Sequence, residues 1–277
     1  MGVLFALIAA AAYGISDFVG GSASRRVSAL NVLLVSYPVG TAVMAAALPF
    51  FAGPVSARTL SWSLAGGVAG LAGVALMYRA LAIAPMNIIS PVTGVMSAVV
   101  PVLGGVLRGE RPAPAAWLGI GLGLLAVVLI SRQPPDLPHP PAGWRPLLMA
   151  VLAGVGFGSY FICLASTDHN SGIWPVVISR LCSVVLVVPL LLAVDRYVRQ
   201  TWGVFALAAI CGVLDALANL AFLLATRHGL LSLAGVITAL YPAGTVLLAM
   251  AVLKERAGTV PGAGLAIAAA AVVLLTR

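Results

Sequence analysis

Apolar runs of about twenty residues follow one another along this 277-residue chain with little between them. A helix rises 1.5 Å per residue, so about 20 apolar residues cross the roughly 30 Å of a bilayer's hydrocarbon. About ten runs meet that length, near residues 3–22, 31–51, 61–83, 87–107, 114–131, 146–166, 172–193, 202–226, 230–253 and 259–276. Hydrophobic residues make up 62% of the chain and charged residues 8%, against about 25% charged in an ordinary soluble domain. Mean hydropathy is +1.13. In water such a chain would expose far more apolar surface than soluble monomers tolerate, so lipid is its solvent. The expected fold class is all-α integral membrane.

The remaining composition narrows the function classes. The net charge of +8 is spread as single Lys and Arg residues between apolar runs, the pattern of interfacial anchors rather than of a nucleic-acid surface. Cys163, Cys182 and Cys211 each sit inside an apolar run without ligand spacing and read as small packing residues. His139, His169 and His228 also lack ligand spacing, so no metal site is expected. The segment from Val3 to Val19 lacks a charged leader and reads as a first membrane helix, not a removable signal. No separate water-soluble domain is expected between the runs.

The chain divides at Ser131 to Pro146, its most proline-rich stretch. Residues 1–132 are read as one five-helix repeat, 133–145 as a linker, and 146–277 as a second repeat. The turn Leu107-Arg108-Gly109-Glu110-Arg111 is echoed by Leu253-Lys254-Glu255-Arg256, and the separation of Glu110 from Glu255 sets an offset of 145 residues. The same offset pairs Ala80 with Ala225, Gly119 with Gly264, Ala126 with Ala271, Val127 with Val272, Val128 with Val273 and Arg132 with Arg277. Five helices is an odd number, so the second copy enters the membrane from the side opposite the first. The expectation is two inverted repeats around a central cavity.

These segments are similar to a known family. Ala80-Leu81-Ala82-Ile83-Ala84-Pro85, the Glu110 turn and the helix with Gly119, Gly121 and Gly123 resemble the EamA domain of the drug/metabolite transporter superfamily. Tyr241-Pro242, Lys254-Glu255-Arg256 and Gly262 with Gly264 repeat the pattern, and Tyr13-Gly14 and Phe157-Gly158 stand where such domains carry an aromatic-glycine pair. The resemblance implies secondary transport, most often export, with no ATP-hydrolysing part and no cofactor. Substrates across the superfamily include amino acids, other metabolites, sugars and toxic cations. The glycines of the fifth run lie inside an apolar helix and read as packing positions, not as a phosphate loop.

Charges deep in the runs are the first functional candidates, because a charge at a helix centre costs roughly 2.5 to 3.5 kcal/mol. Of seven acidic residues only Asp17 and Asp215 are deep. Tyr13 shares a helix face with Asp17, and Asn219 shares one with Asp215, each at a separation of four residues. The deep cations are Arg180 and Arg79, the latter close enough to a helix end to snorkel. Two acids and two arginines would balance as buried ion pairs that position helices. Alternatively Asp17 or Asp215 exchanges a proton or holds a cation, and Arg79 or Arg180 clamps a substrate carboxylate. Tyr78, Tyr160, Tyr241, Trp174 and Asn87 are candidate lining residues, equally readable as packing or interface anchors.

Ten spans put both termini on one side, which the resemblance implies is the cytoplasm of a cell inner (plasma) membrane. The positive-inside rule points the other way, with Arg25, Arg26, Arg132, Arg145, Arg196, Arg199, Lys254 and Arg256 on the side opposite the termini. The functional expectation is a secondary transporter exporting small polar or zwitterionic metabolites such as amino acids. Export of organic cations, or a facilitative carrier or channel, are the alternatives, and monomer and homodimer both stay open. No nucleic-acid partner is expected. Nothing at motif spacing suggests an intramembrane enzyme.

Overall fold

The computed structural model describes residues 1–84, 86–131, 143–194, 197–252 and 258–276. Most of the linker at 133–145, the Lys254-Glu255-Arg256 turn, Arg132 and Arg277 lie outside these residues, as do the side chains of Tyr78 and Asn87.

Helix α1 (Gly2–Ser24) shows how the segments cohere in lipid. Leu4, Ile8 and Ile15 are exposed along one side, whereas Ala6, Ala9, Ala10, Gly14 and Ser16 are buried along the other. Lipid is as apolar as leucine, so helices associate through close packing, which small inward residues permit. The remaining elements are α2 (Ala29–Phe51), α3 (Ala57–Leu81), α4 (Met86–Leu107), α5 (Pro114–Ser131), α6 (Trp144–Ala165), α7 (Trp174–Val194), α8 (Trp202–His228), α9 (Leu231–Thr238), α10 (Tyr241–Val252) and α11 (Thr259–Leu275). Counting α9 with α10, nine described spans are long and apolar enough to cross a bilayer, and α11 is a shorter apolar helix of 17 residues. Among the described residues there is no strand, only an isolated bridge between Ala52 and Gly172.

The ninth run departs from the expected continuous helix, breaking at Ala239 and Leu240. Pro242 has no N–H to continue the ladder and disfavours helical geometry at the residue before it. The chain tightens instead, with Leu240 N–H donating to the Ile237 carbonyl at 3.2 Å. Pro38, Pro49, Pro91, Pro101 and Pro189 stay inside unbroken helices.

Packing follows the repeat. Helix α1 lies on α8 as α3 lies on α6; α2 meets α8 as α3 meets α7; α4 meets α6 as α1 meets α9 and α10. Exchanging the two sets of helices maps each of these pairs onto another. The pair α5 and α11 maps onto itself, and the glycines related by the offset do the same work there. A Cβ on Gly119 would strike Leu275, and one on Gly264 would strike Ile130. Gly123 is equally close to Val236, while Gly121 faces open space.

One end of the bundle, the one holding Met1, is laced with polar contacts. The Asp168 carboxylate accepts from the hydroxyls of Ser56 and Thr59 and lies 3.9 Å from the Arg58 guanidinium. Arg227 donates to the Ser171 hydroxyl at 3.0 Å. The Glu110 carboxylate accepts from the N–H groups of Leu231 at 2.6 Å and Ser232 at 3.0 Å, capping the start of α9. At the opposite end the Asn31 side-chain carbonyl accepts from Val198 N–H at 2.8 Å.

Helices α2 and α8 approach most closely at Gly212, where an added Cβ would fall inside contact distance of the Ser36 backbone. Gly212→Ala is therefore expected to lower stability by about 1 to 3 kcal/mol, an overpacking cost. Gly121→Ala should leave it unchanged, and thermal unfolding of the two variants in the same detergent checks the contrast.

Candidate functional site

The deep polar residues gather where helices of both halves meet. The Arg180 side chain on α7 is 5% exposed and forms an ion pair with the Asp215 carboxylate on α8. Asn219, one turn along α8, donates to the Asp215 carbonyl at 2.6 Å and to its carboxylate at 3.3 Å. The Asn219 side-chain carbonyl in turn accepts from the Tyr13 hydroxyl on α1 at 2.7 Å. The Arg180 guanidinium also lies 5.8 Å from the ring centre of Tyr37 on α2, within cation-π range. A single chain of contacts thus ties α1, α2, α7 and α8. The guanidinium is not fully used, because its Nε and Nη1 are buried without a hydrogen-bond partner. Nη1 sits against α2 at Gly40, where a Cβ would approach it to 2.9 Å.

Asp17 differs from Asp215. At about 100° per residue, it projects between Ala6, Ala10 and Tyr13 and roughly 140° to 180° away from the lipid-facing Leu4, Ile8 and Ile15. Gly20 of the same helix faces Cys211 on α8, and Gly14 faces Tyr241 and Gly244 on α10, so Asp17 points between α8 and α10. It is nonetheless exposed. No salt bridge forms at Asp17 among the described residues.

Three hydroxyls near Asp17 donate elsewhere. The Tyr13 hydroxyl donates to Asn219, the Ser16 hydroxyl to the Cys211 carbonyl at 3.0 Å, and the Thr245 hydroxyl to the Gly14 carbonyl at 3.1 Å. These hydroxyls therefore leave the Asp17 carboxylate unsatisfied. Aromatic rings flank it, with Tyr13 6.3 Å from Tyr241 and 6.2 Å from Phe161, and Phe161 5.9 Å from Tyr160.

Of the residues picked out by sequence, Tyr13, Asp17, Tyr160, Arg180, Asp215, Asn219 and Tyr241 come together. Arg79 does not: it is exposed in the last turn of α3. Two balanced ion pairs are thus not what forms, because a long side chain one turn from a helix end reaches the interface instead of a partner. Trp174 packs at the edge of the apolar core. Sequence reasoning missed Tyr37 and Phe161. Tyr37 carried a signal, an aromatic beside Pro38 inside an apolar run, whereas Phe161 had none to distinguish it from core.

The EamA-like transporter family matches the chain twice, over residues 1–132 and 144–277. The chain belongs to the EamA-like transporter family. It is accordingly a multi-pass membrane transporter of the drug/metabolite type. No protein of curated function matches it. Among solved structures, one described only as a crystal structure of a protein is similar over 99% of this chain and 96% of its own length, with a TM-score of 0.81 and 18% identity. That likeness concerns the fold. In this EamA-like transporter the polar site is not duplicated with the backbone. Under the 145-residue offset Asp215 corresponds to Gly70, where an added Cβ would meet the Tyr160 ring at 3.5 Å.

Removing one partner of the Arg180–Asp215 pair strands a buried charge. Asp215→Ala is expected to cost about 3 to 5 kcal/mol, and the double variant Arg180→Met, Asp215→Leu to recover most of it. Thermal unfolding in lipid nanodiscs compares the three proteins.

Proposed function

We propose that the protein is a secondary transporter that exports small polar or zwitterionic metabolites, such as amino acids, by alternating access between two inverted repeats. The observation that carries this reading is Asp17, an inward, accessible carboxylate without an ion-pair partner, set among acceptors and aromatic rings. Such a site favours a donor-rich cation, either a substrate ammonium group or the coupling proton. Asp215 is held by Arg180 and Asn219 and serves to position Tyr13, so proton exchange falls to Asp17.

Two further features support details of the reading. The unused Nε and Nη1 of Arg180 are donors for a carboxylate, which favours a zwitterion over a simple organic cation. They are sealed against α2 here, so that contact requires α2 or the guanidinium to shift. The exchange symmetry of the helix packing, with an odd number of helices per repeat, supports inversion and hence two interchangeable conformations.

Metabolite profiling of cells with and without the protein nominates the substrate, and counterflow of that substrate in proteoliposomes at two pH values tests the mechanism. The wild type should show saturable counterflow that changes with pH. Asp17→Asn, folded and inserted, should lose both the transport and its pH dependence. Unchanged efflux and an unchanged pH profile in that variant would remove Asp17 from the mechanism, and flux without saturation or counterflow would indicate a channel.

A further inference from the structure

The two halves differ at one buried hydrogen bond. Under the 145-residue offset Thr93 on α4 corresponds to Thr238 on α9, and in the register that aligns Phe157-Gly158 with Tyr13-Gly14, Ala150 on α6 corresponds to Ala6 on α1. The Thr93 hydroxyl donates to the Ala150 carbonyl at 3.2 Å. The Thr238 hydroxyl is fully buried and has no hydrogen-bond partner among the described residues. Buried hydroxyls are rarely left unmet, because each forfeits its hydration without compensation.

Packing repeats the difference. Ala80, Ile89 and Ala150 form a packed cluster that Ala84 and Val92 join. Their counterparts on the other half, Ala225, Ala234, Gly229 and Ile237, line a cavity of about 170 Å³ between the start of α1 and α9. Smaller side chains account for part of that space, since Ala234 replaces Ile89 and Gly229 replaces Ala84. They do not account for the unpartnered Thr238. Helix α9 leans instead on the far end of α4, with Gly235 against Pro101, Ser232 N–H against Gly105, and Glu110 capping its first turn.

We infer that the Thr93–Ala150 bond and a Thr238–Ala6 bond are alternatives, one made in each of two conformations. The inference rests on the alternating access proposed above. In the conformation seen, Thr93 holds the first half of α4 against α6, and α9 stays with α4 and shuts the Met1 end. In the other, α9 moves onto α1, fills the cavity, gives Thr238 the Ala6 carbonyl and releases Glu110, so the Met1 end opens. The first half of α4, freed from Ala150, then shuts the opposite end. An Ala6 carbonyl already bonded within its helix has a second lone pair to offer, as the Ala150 carbonyl does.

The test reads the Leu231 and Ser232 amides, which Glu110 protects in the closed Met1 end, by hydrogen-deuterium exchange of the full chain in nanodiscs. A net hydrogen bond corresponds to a population shift on the order of five-fold. Thr93→Val should speed exchange at these amides by about that factor, and Thr238→Val should slow it by a similar factor. Thr93→Ser and Thr238→Ser keep a hydroxyl and should behave as wild type. General destabilisation cannot imitate this pattern, because it cannot slow exchange. Shifts in the same direction, or none in either valine variant, would overturn the inference. If the wild type shows counterflow and the valine variants fail to diverge, the inference alone fails. If the variants diverge and the wild type shows no counterflow, the transport reading fails and the switch stands.

Discussion

The ion pair between Arg180 and Asp215 is the constraint around which the rest of the site is arranged. In water an exposed pair of this kind is worth little, because either charge can return to solvent. Inside a bilayer neither can, so the positions of α7 and α8 are tied as firmly as any in the bundle. Asn219 extends that order to α1 through Tyr13, and the Tyr37 ring extends it to α2. One consequence is chemical: Asp215 is spent on structure. The carboxylate left without an ion pair among the described residues is Asp17, and the hydroxyls of Tyr13 and Ser16 beside it donate elsewhere.

Backbone and chemistry obey different rules in this chain. The backbone is repeated, and glycines related by the offset sit at matching contacts, as Gly119 on Leu275 and Gly264 on Ile130 show. The polar residues are not repeated: Asp17 corresponds to Phe161 in the register of the aromatic-glycine pairs, and under the 145-residue offset Arg180 corresponds to Val35 and Asp215 to Gly70. Packing surfaces must be alike if two halves are to exchange roles. Under the alternating access proposed above, a binding site need exist only once between them, because both conformations would reach the same place.

Sequence reasoning reached the helices because the hydrocarbon thickness dictates run length, and it reached Asp17, Arg180 and Asp215 because lipid makes any deep charge conspicuous. It could not rank them. Whether a deep carboxylate is paired depends on which helices touch, and Arg79 looked as available as Arg180 until α3 placed it at an exposed end. Tyr241-Pro242 was visible as a motif, but that it breaks the ninth run while Pro38, Pro91 and Pro101 leave theirs whole is decided by packing. Loop residues were the least legible. Glu110 read as an ordinary helix-end charge, and its grip on the first turn of α9 arises from two loops 121 residues apart in sequence.

The strengths of these contacts sort them into fixed and movable. A contact worth several kcal/mol holds one conformation nearly all the time, whereas a change between states with a gap of a few kcal/mol leaves both populated. The buried ion pair belongs to the first kind, and α7 and α8 can be treated as frame. A hydroxyl donating to a helix carbonyl contributes about 1 kcal/mol net, and such bonds join α4 to α6 and α10 to α1. Glycines at the same junctions let the helices slide without unpacking large side chains. A transporter whose frame is ionic and whose moving joints are hydroxyl-carbonyl bonds can change state repeatedly without ever exposing an unpaired charge to lipid.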